Sequence, residues 1–243
     1  MYSMSDEITF CHCGADGKLK LHEAVTMMMN CCQFQEYQEQ ELCKFLRSNN
    51  IAIFLSSLQI DIIRMPEFRE KIRTTVKIYG YKSIYGLRRL TMHDASGDLC
   101  LIANATGAFI DIKEQKALKL SPEVFQLKYD EPEPMECLPR KISLPAAGTV
   151  EGCDFPGIKV TPSMLDPNGH LTSPEYFAIA TDILPEDFRF NRARVEYKKQ
   201  AKCGELLTPV RYLNEATRTA TAVISNADGQ TCAVLEFSTT TPE

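Results

Sequence analysis

The sequence predicts an α+β protein built from two similar units, and three observations carry that prediction. A proline-rich stretch divides the 243 residues into halves. Each half opens with an amphipathic helical pattern and continues as strand-like segments. A glycine-containing turn before the last long strand of one half is echoed at the same place in the other.

In order along the chain, the first helical pattern runs from Leu21 to about Leu46, with Leu21, Val25, Met28 and Cys32 at helical spacing. Strand-like segments follow at Leu58–Ile63, Ile72–Tyr81, Ile84–His93 and Leu99–Ile112. From Asp130 to Gly148 the apolar period lapses, and Pro132, Pro134, Pro139 and Pro145 fall among acidic and small residues. Proline at that density favours extended backbone running over a surface. The halves are therefore placed at 1–128 and 153–243, with a linker at 129–152.

In the second half a shorter helix is expected at about Pro174–Ile183, with Tyr176, Phe177, Ala180 and Ile183 on one side. Strands are expected at Ala193–Gln200, Leu206–Asn214, Thr217–Ser225 and Thr231–Thr239. Alternation is clearest where Thr219, Thr221 and Val223 oppose Ala220, Ala222 and Ile224. The echo lies in Asp94-Ala95-Ser96-Gly97-Asp98-Leu99-Cys100 and Asn226-Ala227-Asp228-Gly229-Gln230-Thr231-Cys232, both of which read as hairpin turns.

Composition narrows the function classes. A net charge of -5 and the absence of a long Lys/Arg run give no nucleic-acid signature. No apolar run reaches the roughly 18 residues that span a bilayer. The polar, acidic start Met1–Glu7 resembles neither a signal nor a transit peptide, so a cytoplasmic protein with reduced thiols is expected. The ten cysteines include no CxxC pair, and Cys11-His12-Cys13 lacks a second ligand pair, so no metal site and no cofactor are expected.

One segment gathers chemistry. Asp166-Pro167-Asn168-Gly169-His170 places a carboxylate, a carboxamide and an imidazole within one loop, directly before Ser173-Pro174-Glu175, a helix-start pattern. A base, an orienting amide and free backbone N–H groups are what acyl transfer requires. The same residue types are also the commonest turn formers, so a purely structural loop is the competing reading. His12, His22 and His93 have no comparable neighbourhood.

The pattern Asp-x-Asn-x-His, with Tyr176, Asp182, Leu184-Pro185 and Val195-Glu196-Tyr197 after it, resembles the acyl-acyl-carrier-protein thioesterases of bacteria and plants. The first half agrees through its leading helix, the strand and proline near Leu58 to Pro66, and Leu120-Ser121-Pro122-Glu123-Val124. The resemblance covers residues 15 to 240. It implies two tandem hot-dog units, each a curved antiparallel sheet wrapped around a helix. It also implies an acyl pocket in the first unit and catalysis in the second.

The residues it implies are Asp166, Asn168 and His170, working with an acidic residue beyond the strand tyrosine. At that position this chain has Gln200, followed by Ala201 where the family often has cysteine. Thr172 and Ser173 stand in place of paired asparagines, and Ile179 in place of a helix tryptophan. Glutamine orients water but cannot take its proton, which shifts the base onto His170 or Asp166. Cys203 is a weaker candidate nucleophile, placed to face away from Gln200 on a regular strand.

The implied reaction is hydrolysis of acyl thioesters on acyl carrier protein. A coenzyme A thioester substrate and a non-catalytic acyl-binding protein are the alternatives, in a monomer or homodimer. An enoyl-thioester hydratase on the same fold finds no second acid–histidine pairing to support it. Met27, Met28, Met29, Cys31, Cys32 and Phe34 are candidate pocket lining, with ordinary core as the competing reading. Arg64, Arg69, Lys71 and Arg73, or Arg192, Arg194, Lys198, Lys199 and Lys202, are candidate docking patches for an acidic carrier.

Overall fold

The apolar period that begins at Leu21 folds as helix α1, Leu21–Gln38, in the computed structural model, which describes residues 1–120, 129–145 and 149–240. Leu21, Val25, Met28 and Cys32 are all buried, as their spacing requires. The expected single helix to Leu46 is instead two. Glu39 leaves helical geometry (φ -77, ψ 70), and α2, Gln40–Ser48, follows. The break lets Leu42 and Leu46 reach a separate apolar cluster with Ile51, Phe109 and Leu120.

The chain divides into two compact units, Met1–Cys137 and Leu138–Glu243. The first holds β1 (Tyr2–Glu7), α1, α2, β2 (Ile51–Ile62), β3 (Lys71–Lys82), β4 (Tyr85–Asp94), β5 (Leu99–Asp111) and β6 (Lys116–Ala117). Its antiparallel sheet has the order β1-β3-β4-β5-β2, and α1 lies against β1 and β3. Strand β2 begins well before the expected Leu58 because a bulge between Leu55 and Ser57 breaks the alternation that marks a strand in sequence.

The second unit holds β7 (Gly152–Asp154), β8 (Ile158–Lys159), α3 (Ser173–Asp182), β9 (Arg192–Tyr197), β10 (Leu206–Asn214), β11 (Thr219–Asn226) and β12 (Thr231–Ser238). Its sheet runs β7-β10-β11-β12-β9, with β8 also on β10, and α3 touches β12. The strand order repeats that of the first unit, so both units are hot-dog folds. The two echoed hairpins match bond for bond. Asp94 N–H donates to Asp98 O at 3.0 Å and Gly97 N–H to Asp94 O at 3.1 Å; Asn226 to Gln230 O and Gly229 to Asn226 O do the same at 3.0 and 2.9 Å.

The proline-rich segment is packed rather than free. In the first unit Gln59 Nε2 donates to Glu136 O at 2.8 Å and Lys77 Nζ pairs with Glu133 at 2.8 Å. In the second, Arg194 donates to Pro139 O at 2.5 Å, and Ile142 packs on Val223 and Val234. Extended proline-containing backbone leaves its carbonyls unpaired, and side chains of the sheet faces meet them. This cover explains why Val223 is buried although it alternates with the inward-facing Ala222 and Ile224. Ser121 to Val124 lie outside the described residues.

Candidate active site

Asp166, Asn168 and His170 are brought together by one five-residue turn. Asp166 N–H donates to His170 O at 2.8 Å and Gly169 N–H to Asp166 O at 2.9 Å. Asp166 Oδ1 accepts from the backbone N–H of Asn168 at 2.8 Å and of His170 at 3.0 Å. Gly169 sits at φ +76, where a Cβ would be strained. Asp166 therefore bonds the main chain of His170 and not its ring; it shapes the loop that carries the imidazole. The imidazole Nδ1 is buried and has no hydrogen-bond partner in the protein, while Asn168 is exposed, with Nδ2 3.4 Å from Asp166 Oδ2.

The turn is fixed from both sides. Thr172 N–H donates to Met164 O at 3.0 Å, and Leu171 N–H to Ala201 O at 2.8 Å, while His170 forms a bridge with Lys202. Helix α3 then starts at Ser173, one residue earlier than expected, with Thr172 as N-cap and no side-chain cap bond. Tyr197 takes up the Ser173 carbonyl instead, donating to it at 3.1 Å. Its ring meets Tyr176 edge to face at 5.5 Å, and burial pushes both phenols well above their ordinary pKa, so both remain neutral.

The first unit repeats this loop, an echo that the sequence reading missed. Gly14 N–H donates to Lys18 O at 2.8 Å, Gly17 N–H to Gly14 O at 3.0 Å, and Lys20 N–H to His12 O at 2.9 Å. Cys13 bridges Leu19 as Leu165 bridges Leu171, and Gly17 has φ +75. Gly14, Asp16 and Lys18 thus occupy the places of Asp166, Asn168 and His170. The shared Gly-x-Leu, at Gly17–Leu19 and Gly169–Leu171, is the sequence signal that marks it. The backbone is duplicated, and the imidazole belongs to the second copy.

A second pair of equivalents diverges in the same way. Ile8 N–H donates to Glu70 O and Val160 N–H to Glu205 O, both at 2.9 Å. Glu70 is clamped by Arg64, whose two Nη atoms lie 2.9 and 2.8 Å from its oxygens, which holds the Glu70 carboxyl below the usual range. Glu205 Oε2 is buried without a partner. Sequence reasoning missed Glu205, because a lone glutamate before a strand reads as a solvated side chain.

Gln200 is exposed, next to Ala201 on the segment that pairs with the loop, and among the described residues no hydrogen bond joins it to Asp166, Asn168 or His170. Cys203 is exposed in a turn closed by Glu205 N–H to Lys202 O at 3.2 Å, rather than on the strand assumed for it. Among the described residues no group of His, Cys, Asp and Glu could hold a metal ion, and no helix is long and apolar enough to cross a membrane. The candidate docking patches shrink. Arg192 and Arg194 are buried, and Arg64 is bound to Glu70 and Asp94. Arg69, Lys71 and Arg73, and Lys198, Lys199 and Lys202, remain exposed.

The first unit contains a partly open, largely apolar pocket between α1 and its sheet. Gly86 and Gly107 face each other across β4 and β5, and the lining side chains Phe109 and Ile53 pack directly over them, where a Cβ would come within 3.4 and 2.6 Å. Of the six residues expected to line a pocket, Met29 and Cys32 do so. Met27, Met28 and Cys31 are core, and Phe34 is exposed.

Residues 1–127 match the family model described as the acyl-ACP thioesterase N-terminal domain. No curated protein sequence matches the chain. Among solved structures, an acyl-ACP thioesterase from Bacteroides thetaiotaomicron superposes with a TM-score of 0.84 at 19% identity, covering 97% of this chain and 96% of that one. A 12:0-ACP thioesterase from Umbellularia californica gives 0.78 at 11% identity, covering 98% and 96%.

Proposed function

The chain belongs to the acyl-ACP thioesterase family, whose members are thioester hydrolases, and from that premise we propose that it releases free fatty acid from acyl carrier protein at the Asp166–His170 turn. The observation that carries this reading is the unequal duplication of the loop: one backbone, twice used, with an imidazole bearing a buried, unpartnered Nδ1 in the second copy alone.

In the proposed reaction His170 takes a proton from water as its oxygen attacks the thioester carbonyl. The tetrahedral oxyanion is met by the positive end of α3 and by the side-chain amide of Asn168, while Gln200 orients the attacking water. Collapse breaks the C–S bond, and the proton passes from the imidazolium to the departing thiolate. The products are the carboxylic acid and the free thiol. Asp166 holds the loop in shape and Tyr197 anchors the first residue of α3. The pocket of the first unit accepts the acyl chain.

The deciding assay offers acyl-carrier-protein and coenzyme A thioesters of several chain lengths and measures free thiol. Binding without thiol release overturns the hydrolase reading in favour of an acyl-binding protein. Gln200→Glu supplies a proton acceptor where the chain has an amide, and a rise in kcat of about tenfold is expected at neutral pH. A fall would show that Gln200 serves better as a donor.

The carrier is recognised here through exposed lysines and arginines, since Lys198, Lys199 and Lys202 follow β9 next to the loop. KM for an acyl-carrier-protein substrate is expected to rise steeply between low and physiological salt, as screening predicts. A KM independent of salt would instead indicate a coenzyme A or other small thioester.

A further inference from the structure

The cavity of the first unit is apolar on most sides, with Leu42, Ile53, Leu55, Ile78, Leu87 and Phe109 among its walls. One wall is different. Arg88 of β4 reaches toward α1, where its Nη2 lies 3.3 Å from Glu36 Oε2. The two side chains are 14% and 22% exposed, and both line the cavity together with Cys32 and Gln33. Counted back from the matching hairpins, the position of Arg88 in the second unit is held by Ala220, which is fully buried. The fold therefore does not need an arginine there.

A saturated hydrocarbon chain has nothing to offer this wall. Placing one against Arg88 and Glu36 strips water from a guanidinium and a carboxylate that meet through one 3.3 Å contact, and neither gains a partner. A guanidinium carries five N–H donors in a fixed fork, so the contacts to Glu36 and Cys32 leave donors to spare. An oxygen atom on the chain would accept from them, and a hydroxyl would also donate to Glu36. The remaining walls would still bury the methylene groups.

We propose that this cavity selects acyl chains carrying a hydroxyl or oxo group over unsubstituted chains, with Arg88 and Glu36 as the residues that read the oxygen. The proposal rests on the thioesterase reading only for its turnover assay; the binding preference stands without it. A pocket lined by apolar groups alone rejects a hydroxyl weakly, whereas a buried polar pair left unmatched penalises the chain that lacks one.

The test walks a single hydroxyl or oxo group along thioesters of equal carbon number and compares kcat/KM with the unsubstituted chain. A preference of about tenfold for at least one oxygen position is expected in the unaltered protein. In the double variant Arg88→Met with Glu36→Gln, which leaves no lone charge behind, the preference should disappear and the unsubstituted chain should improve. The same ligands as free acids are titrated calorimetrically, with far-UV circular dichroism verifying that the double variant is folded.

If no thioester is turned over but the hydroxylated acid binds tighter and loses that advantage in the variant, the hydrolase reading falls and the pocket proposal stands. Equal or better binding of unsubstituted acids by the unaltered protein overturns the proposal. So does a preference for oxygen that survives in the double variant. Should the double variant fail to fold, Arg88→Lys is used. It keeps the charge but loses the planar fork, and the oxygen preference is expected to fall at least threefold. An unchanged preference there overturns the proposal as well.

Discussion

Replacing His170 by alanine is expected to lower kcat for acyl-thioester hydrolysis by about a hundredfold to ten-thousandfold, the range for loss of a positioned general base. That corresponds to about 3–5 kcal/mol of barrier. The stability cost should be small, because the ring Nδ1 bonds nothing in the protein and its removal leaves no orphaned partner. The backbone contacts that hold residue 170, to Asp166 and to Lys202, do not depend on its side chain. A thiol-release assay and a denaturation curve on the same preparation separate the two effects. A variant that retains wild-type kcat would remove His170 from the mechanism. Lost activity together with a collapsed denaturation midpoint would mean that the side chain supports the fold.

The reasons for expecting so local an effect show what the sequence could and could not convey. The strands and helices were readable where a single face is buried, as for α1 at Leu21, Val25, Met28 and Cys32. Reading failed where the physics lies elsewhere. The bulge at Leu55/Ser57 hid the first half of β2, and the change of packing partner at Glu39 hid the division between α1 and α2. The proline-rich segment was legible as extended but not as a cover, since nothing in its composition names the sheet face that it meets.

At the candidate site, Asp166, Asn168 and His170 were singled out from side-chain chemistry, with a base and a loop former both open as readings of Asp166. A carboxylate two residues before an amide and four before an imidazole fits a charge partner or a turn former equally well. Only the bonds to the backbone N–H groups decide for the turn. The repeat of that turn at Gly14–Lys18 was invisible as chemistry because its side chains differ, and what is duplicated is a hydrogen-bond pattern. Glu205 was invisible for a related reason: burial, and not residue type, distinguishes it from an ordinary surface glutamate.

Substituting Phe177 by alanine is expected to cost about 3–5 kcal/mol of stability, the range for truncating a fully buried aromatic. Phe177 is 0% exposed in α3, which has ten residues, fewer than the roughly 12–15 that an isolated helix needs. Its N-cap Thr172 makes no side-chain bond, so capping contributes little, and Thr172→Ala should change stability by less than about 0.5 kcal/mol. What fixes α3 is burial of Tyr176, Phe177, Ile179 and Ala180 on its inner side, together with the Tyr197 bond to Ser173 O. The denaturant midpoint measures the loss directly, and the contrast between the two variants distinguishes packing from capping. Because the Asp166–His170 turn leads into α3 through Leu171 and Thr172, a loosened helix also loosens the imidazole. Phe177→Ala should therefore lower kcat per folded molecule, whereas Thr172→Ala should not. Unchanged kcat in the folded fraction of Phe177→Ala would show that the loop's own bonds, at Ala201 and Met164, suffice to aim His170.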